Sequence, residues 1–268
     1  MGTFDGLHLG HQDIIKTARD YAQKHGLKLI VFTFSNHPLS LIKPDLVPVR
    51  IITQQQKIKY LEKLGVDILV NVPFDHDLAG LSPDEFLKKL AVFNYRCLVV
   101  GENFSYGFLG SGKTDTLQRT GLHDHFTVII RQLVKCGKNV ISSTGIRSLI
   151  QAGHVEHANQ MLGRAYALTG IVTHGAQRGR TIGFPTANIE LQRSETAVPA
   201  TGGYKVKVGD KLYFGMANIG NNPTFGDVEH ARLEVNLFIL KATCMAGRSL
   251  FTFINIYVVK KSLPVSMS

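Results

Sequence analysis

No apolar stretch in this 268-residue chain approaches the ~18 residues that a membrane-crossing helix needs; Leu27 to Phe34 and Leu98 to Val100, among the longest, are far shorter. Nothing of the signal-peptide type precedes them, so no membrane association is expected and the expected location is the cytoplasm. Cysteine is scarce. Cys97, Cys136 and Cys244 show no paired spacing, which excludes a zinc site or a disulfide framework built on them. Low-complexity tracts are absent, which excludes a disordered or fibrous architecture, and no internal repeat is found. A Lys/Arg-rich block is also missing, although the formal net charge is +10. Scattered bases suit a phosphate-rich small ligand as well as nucleic acid. Part of the excess is local, because residues 239–268 hold Lys241, Arg248, Lys260 and Lys261 and no acid. Small molecules are therefore the expected partners, with no nucleic acid, and the chain is expected to be a monomer or a weak homo-oligomer.

What is present is a globular composition, 44% hydrophobic and 19% charged, in a length that suits two domains of ~100–200 residues. The first half alternates helix-like and strand-like segments, which predicts parallel strands joined by crossover helices. Gly10 to His25 carries Ile14, Ile15, Ala18 and Ala22 at helical spacing and stops at Gly26. Leu27 to Phe34 then reads as a buried strand, Gln54 to Leu64 as a helix ended by Gly65, and Asp67 to Val72 as a strand. Ser82 is placed to cap a helix from Pro83 to Ala91, and Arg96 to Val100 follows as a strand. Ser143 to Leu162 predicts two short helices broken near Gly153.

From Gly170 onward the texture changes. Ala167 to Thr173, Gly203 to Val208, Leu212 to Ile219 and Arg232 to Phe238 are short apolar stretches separated by Gly, Pro, Asn and Asp, the pattern of a small all-β unit. The expected fold is therefore a Rossmann-like α/β domain with a parallel sheet over residues 1–163, followed by a small antiparallel β-barrel over 164–268.

Gly2-Thr3-Phe4-Asp5-Gly6-Leu7-His8-Leu9-Gly10-His11 stands where a strand should end and a helix begin. Helix starts offer free N–H groups and partial positive charge, and glycines admit an anion close to the backbone. His8 and His11 are three apart, so a helical turn puts both imidazoles on one side, where each can donate to a phosphate oxygen. Taken alone, a His-x-x-His pair is more often a surface or capping feature. The longer string is more specific: it is similar to the nucleotidyltransferase signature, and its Phe-Asp-Gly form resembles the prokaryotic bifunctional riboflavin kinase/FAD synthetases. Gly101-Glu102-Asn103-Phe104-Ser105-Tyr106-Gly107 and Ile141-Ser142-Ser143-Thr144-Gly145-Ile146-Arg147 resemble two further motifs of that family, in the same order.

The resemblance implies adenylyl transfer, in which the phosphate of FMN attacks the α-phosphorus of ATP. It implies phosphate or ATP contacts from His8, His11, Gly2, Phe4, Asp5, Gly6 and Gly10. Ser142, Ser143 and Thr144 join them at a helix start, where they are equally suited to plain capping. Arg147, one turn on, offers a fork of donors for the leaving pyrophosphate. Asn103, Phe104 and His37 are implied flavin contacts, although Asn36-His37-Pro38 is also simply a turn. Gly110-Ser111-Gly112-Lys113-Thr114 is not read as a P-loop, because no strong strand leads into it; it reads as a flexible loop after the Gly101 to Gly107 motif.

Gly175-Ala176-Gln177-Arg178-Gly179-Arg180-Thr181-Ile182-Gly183-Phe184-Pro185-Thr186-Ala187-Asn188 resembles the riboflavin-kinase signature. The resemblance implies that Gly175, Gly179, Arg180 and Gly183 cover ATP, and that Thr186 and Asn188 supply oxygens for Mg²⁺ and phosphate. Asn218 to Phe225 and Arg232 to Phe238 continue it, and Glu234 matches the family's general base for the riboflavin 5′-hydroxyl. By alternation alone, Glu234 is a solvent-facing strand residue beside Leu233, Val235 and Leu237.

The resemblance implies a strand ahead of Gly2, which Met1 directly abuts, so a truncated start is expected. After Phe238, the family's Asp-Phe-x-Gly-Asp-x-Tyr-Gly gives way to Ile239-Leu240-Lys241-Ala242-Thr243-Cys244-Met245-Ala246. A one-base displacement of codons for Asp-Phe-Lys-Gly-Asp-Met-Tyr-Gly produces that string, so a frameshift is expected there, with a non-native tail from 239 and an incomplete barrel. The function expected is riboflavin to FMN and FMN to FAD with ATP and Mg²⁺; its rivals are adenylyl transfer alone and a non-catalytic flavin- or nucleotide-binding module.

Overall fold

The computed structural model describes residues 1–173, 186–191, 197, 202–208, 211–221, 231–237 and 253–257, with side chains described through 168 and at Ala197. The chain divides into two compact units, one of Met1–Pro48 and Thr53–Ser142, the other of Val49–Ile52 and Ser143–Ser268.

The first unit opens on a 3₁₀ turn, Asp5–Leu7, that leads into α1, Leu9–Lys24, whose Ile15 and Ala22 are buried. Gly26, at φ 62°, ends the helix as its composition predicts. β1, Ile30–Phe34, and the short α2, Leu39–Ile42, follow. α3, Gln54–Lys63, starts on a capping box: the Thr53 hydroxyl accepts from Gln56 N–H at 3.2 Å, and Gln56 Oε1 accepts from Thr53 N–H at 2.9 Å. β2, Ile68–Val72, and α4, His76–Ala79, lead to α5, Pro83–Leu90, capped by Ser82 and Glu85 in the same reciprocal way. β3 is Cys97–Gly101, and a tight hairpin of β4, Ser105–Tyr106, and β5, Gly112–Lys113, delivers the chain into α6, Thr114–His123. β6, Thr127–Arg131, and the hairpin of β7, Lys135–Cys136, with β8, Asn139–Val140, complete the unit.

β1 and β2 pair in parallel from Ile30–Ile68 to Phe34–Val72, and β3 and β6 in parallel from Cys97–Thr127 to Gly101–Arg131. Each pair is joined through at least one helix, because parallel strands need a crossover. Phe32 of β1 and Leu98 and Val100 of β3 share one core with Phe86, Leu87, Leu90, Tyr106 and Leu117. Full burial of such side chains stabilises by about 1.5–3 kcal/mol each. The segment 110–114, read from sequence as a loop, holds the second strand of a hairpin and the first residue of α6. Close packing explains the difference: a Cβ on Gly112 would lie 2.7 Å from the Tyr106 ring, and just ahead of the segment Gly107 has φ 72° and a Cβ there would lie 2.7 Å from Pro83 N.

The second unit begins with α7, Ser143–Gln151, and α8, Val155–Leu162, separated by Gly153 at φ 79°. Ile146, Ile150, Val155, Ala158, Leu162 and Tyr166 are buried in it, as are Ile51 and Ile52. Tyr166 donates its hydroxyl to Ala197 O, and Ala197 N–H donates to Arg50 O at 2.6 Å. Among the described residues six strands follow: β9, Leu168–Thr173; β10, Thr186–Leu191; β11, Gly202–Val208; β12, Lys211–Asn221; β13, Ala231–Leu237; and β14, Phe253–Tyr257. They pair antiparallel in the closed order β10-β13-β12-β11-β14-β9. β14 lies in the stretch where the family's closing segment is expected to be lost, and it pairs with both β11 and β9. Among the described residues no helix is long and apolar enough to cross a membrane.

Candidate functional site

The turn ahead of α1 is held in an unusual backbone conformation. Phe4 (φ 50°) and Leu7 (φ 42°) occupy the left-handed region together with Gly6 (φ 79°). For residues with a Cβ this costs roughly 1–2 kcal/mol each, so neighbouring structure must enforce it. Gly2 N–H donates to Phe32 O at 3.2 Å, and Thr3 O accepts both the Thr33 hydroxyl at 3.2 Å and Lys57 Nζ at 2.9 Å. Phe4 and Leu7 are buried, and Gln12 Nε2 donates to Leu7 O at 2.9 Å. Strand β1, helix α3 and helix α1 thus all grip the same six residues.

The turn delivers His8 as the N-cap of α1, where its Nδ1 accepts from His11 N–H at 3.3 Å. With Nδ1 an acceptor, the neutral ring of His8 carries its proton on Nε2. The two imidazoles stack, with centroids 3.7 Å apart and an 18° interplanar angle, as the three-residue spacing predicts. Phe4 meets His11 edge-on at 5.2 Å. Gly10 permits the stack, since a Cβ there would come within 3.2 Å of the His8 ring.

His11 Nδ1 is buried and has no hydrogen-bond partner among the described residues. A buried polar atom left so costs free energy unless something meets it. Burial, then His8 and Lys57, hold the His11 pKa well below its usual 6.5, so the ring is neutral at physiological pH. Farther along α1, Asp13 takes a two-pronged bond from Arg131 at the carboxyl end of β6, at 2.7 and 3.1 Å.

The remaining candidates of the first unit lie after the carboxyl ends of strands, where ligands of parallel α/β sheets bind. His37 follows β1, and its Nδ1 accepts Leu39 N–H at 3.1 Å. Asn103 and Phe104 follow β3; Phe104 N–H donates to Gly101 O, and its ring stacks on Tyr106 at 5.7 Å. A concavity of about 600 Å³ lies at the other, amino ends of β3 and β6, lined by Lys88, Tyr95, Arg96, Arg119, His123 and Phe126; it contains none of the candidate residues. Ser142 closes the first unit, whereas Ser143, Thr144 and Arg147 belong to α7 in the second. Arg147 is buried there and donates Nε–H to Val49 O at 2.6 Å.

Two residues escaped the sequence reading. Lys57 and Thr33 both bind the Thr3 carbonyl, yet neither belongs to a motif. The available signal for Lys57 is its place four residues before buried Leu61, on the inward stripe of α3.

In the second unit, Thr186 and Asn188 lie on β10 and Glu234 on β13. Asn188 and Glu234 are register partners, and Glu234 pairs onward with Asn218 of β12, so the three share one rung. Gly175, Gly179, Arg180 and Gly183 lie outside the described residues. Among the described residues no group of three or more His, Cys, Asp or Glu is placed to hold a metal ion.

A family model described as FAD synthetase matches residues 1–145, and one described as riboflavin kinase matches residues 162–258, twenty residues beyond Phe238. A bifunctional riboflavin kinase/FMN adenylyltransferase from Bacillus subtilis is 42% identical over 244 residues, spanning 89% of this chain and 77% of that protein. Proteins of the same description from Listeria monocytogenes and Escherichia coli K12 are 40% and 36% identical, each over 88% of this chain and 76% of theirs. A solved structure from Streptococcus pneumoniae, described as a macrolide-efflux protein, superposes with a TM-score of 0.84 at 32% identity, covering 98% of this chain and 87% of that one.

Proposed function

This chain belongs to the bifunctional riboflavin kinase/FMN adenylyltransferase family, and from that premise we propose how its residues divide the two reactions. It phosphorylates riboflavin to FMN and adenylylates FMN to FAD, both at the expense of ATP. We assign adenylyl transfer to residues 1–163 and riboflavin phosphorylation to 164–268, where the antiparallel ring is the riboflavin-kinase barrel.

In the first reaction a phosphate oxygen of FMN bonds to the α-phosphorus of ATP, the bond to the bridging oxygen breaks, and pyrophosphate leaves. No protein nucleophile is needed, so the protein's contribution is alignment and stabilisation of charge on the phosphates. The observation that carries the assignment is the stacked His8–His11 pair with a buried, unpartnered Nδ1 at a helix start. His8 presents Nε2–H to a phosphate oxygen, and His11, neutral, donates from the nitrogen that carries its proton. The free N–H groups at the start of α1 and the backbone of Gly2, Phe4, Asp5, Gly6 and Gly10 supply further donors. Ser142, Ser143, Thr144 and Arg147 receive the pyrophosphate, while His37, Asn103 and Phe104 line the flavin side.

In the second reaction Glu234 takes the proton of the riboflavin 5′-hydroxyl as its oxygen bonds to the γ-phosphorus and ADP leaves. The donor set is consistent with Mg²⁺: Thr186 and Asn188 bear uncharged oxygens of the kind this ion takes together with phosphates, and Asn188 shares a rung with Glu234. Mg²⁺, when bound, neutralises phosphate charge. Gly175, Gly179, Arg180 and Gly183 cover the ATP. The same reading makes the chain a cytoplasmic enzyme, a monomer or weak homo-oligomer, whose partners are its small-molecule substrates.

Incubation with ATP and Mg²⁺ plus either riboflavin or FMN, followed by separation of the flavins, tests both halves. His8→Ala/His11→Ala should reduce FAD formation from FMN by about 10²–10³-fold, the usual effect of removing preorganised donors, and leave FMN formation intact. Glu234→Gln should do the reverse. An His8→Ala/His11→Ala enzyme that makes FAD at the normal rate defeats the first assignment; a wild-type chain that binds flavin without turnover defeats both.

A further inference from the structure

Lys57 is set apart from the other lysines of α3. Lys59 and Lys63 are exposed, whereas Lys57 is only 8% exposed and shares the inward face of the helix with Leu61. Burying an ammonium is costly unless polar groups meet it, so a lysine here has a local use. Its Nζ donates to Thr3 O at 2.9 Å across 54 residues of sequence, onto a carbonyl that the fully buried Thr33 also binds. That carbonyl immediately precedes Phe4, the first of the two left-handed side-chain-bearing residues that aim His8 and His11.

We propose that Lys57 is a positioning residue of the adenylyl-transfer site, clamping the turn through the Thr3 carbonyl and adding a fixed positive charge beside His11. The inference rests on the assignment of adenylyl transfer to the His8–His11 site. Two effects follow from one side chain. The hydrogen bond keeps the left-handed turn from relaxing, which preserves the ring stack. The charge opposes protonation of His11, together with burial and His8, so the ring stays neutral when anionic phosphates arrive.

Lys57→Gln and Thr33→Val separate the two effects. Glutamine keeps a donor for Thr3 O and removes the charge; valine removes one donor and leaves the charge. FAD formation from FMN is measured for both and for Lys57→Arg and Lys57→Met, and the His11 ring is titrated by NMR in the substrate-free proteins. Lys57→Gln and Lys57→Met should lower kcat for FAD formation tenfold or more, with a smaller change in KM, and raise the pKa of His11. Lys57→Arg should recover part of kcat and the wild-type His11 titration. Thr33→Val should lower kcat several-fold without moving that titration. Riboflavin phosphorylation by the same preparations should be unchanged. FAD formation within twofold of wild type in Lys57→Gln, or a loss of rate with the His11 titration unmoved and no recovery by arginine, overturns the inference. If Lys57→Met does not fold, Lys57→Gln and Lys57→Arg decide. A wild-type protein that makes no FAD from FMN sinks the assignment of the site itself, a result distinct from any behaviour of the variants.

Discussion

At the scale of single residues, the histidine pair couples function to acid stability. The folded pKa of His11 lies well below the unfolded value of 6.5, chiefly through burial. Between those two values the unfolded chain binds the proton and the folded one does not, so stability rises with pH there. The contribution is fully present above pH 6.5 and is lost as the pH falls toward the folded pKa. Urea denaturation at stepwise pH values below about 7 should show a decline that is weaker in His11→Phe, which has nothing to protonate. An identical slope in both proteins would show that His11 does not titrate on unfolding.

At the scale of elements, helix boundaries were the most legible feature. Gly26 ending α1, Ser82 capping α5 and Gly153 dividing α7 from α8 all stand where composition alone places them, because caps and stops are local chemistry. β6 and α6 were not read, since a five-residue run such as Thr127–Arg131 is ambiguous by periodicity and the 110–114 glycines resemble a loop. Gly112 and the preceding Gly107 are packing features. Gly107→Ala combines a positive φ with a Cβ 2.7 Å from the backbone nitrogen of Pro83, at the first turn of α5. The expected cost is about 2–4 kcal/mol, from left-handed strain plus overpacking. Thermal unfolding checks it; a melting temperature unchanged from wild type would mean that the hairpin and α5 can separate without penalty.

At the scale of the whole molecule, the division into units does not follow the chain. Val49–Ile52 is inserted in the first unit's sequence yet clusters with the second, where Val49 O accepts from buried Arg147 and Arg50 O accepts from Ala197 N–H. Arg147→Met keeps the stem and removes the donor, leaving the half-buried Val49 carbonyl without that partner. A loss of about 1.5–3 kcal/mol in denaturant unfolding is expected, together with slower FAD formation. Loss of activity at unchanged stability would mean that Arg147 serves the phosphates alone. Motif order and the 2-to-3.6 switch in apolar period were sufficient, from the amino-acid sequence by itself, to determine the family, the parallel α/β first half and the pairing of His8 with His11, because each depends on neighbours within one turn or strand. Only the tertiary structure decided that Lys57 and Thr33 hold the Thr3 carbonyl, that Val49–Ile52 joins the second unit, and that Asn188 and Glu234 share a rung. Those arrangements join residues 30 to 98 positions apart, and a buried charge or a strand register is set by what packs across that gap, which no local pattern records.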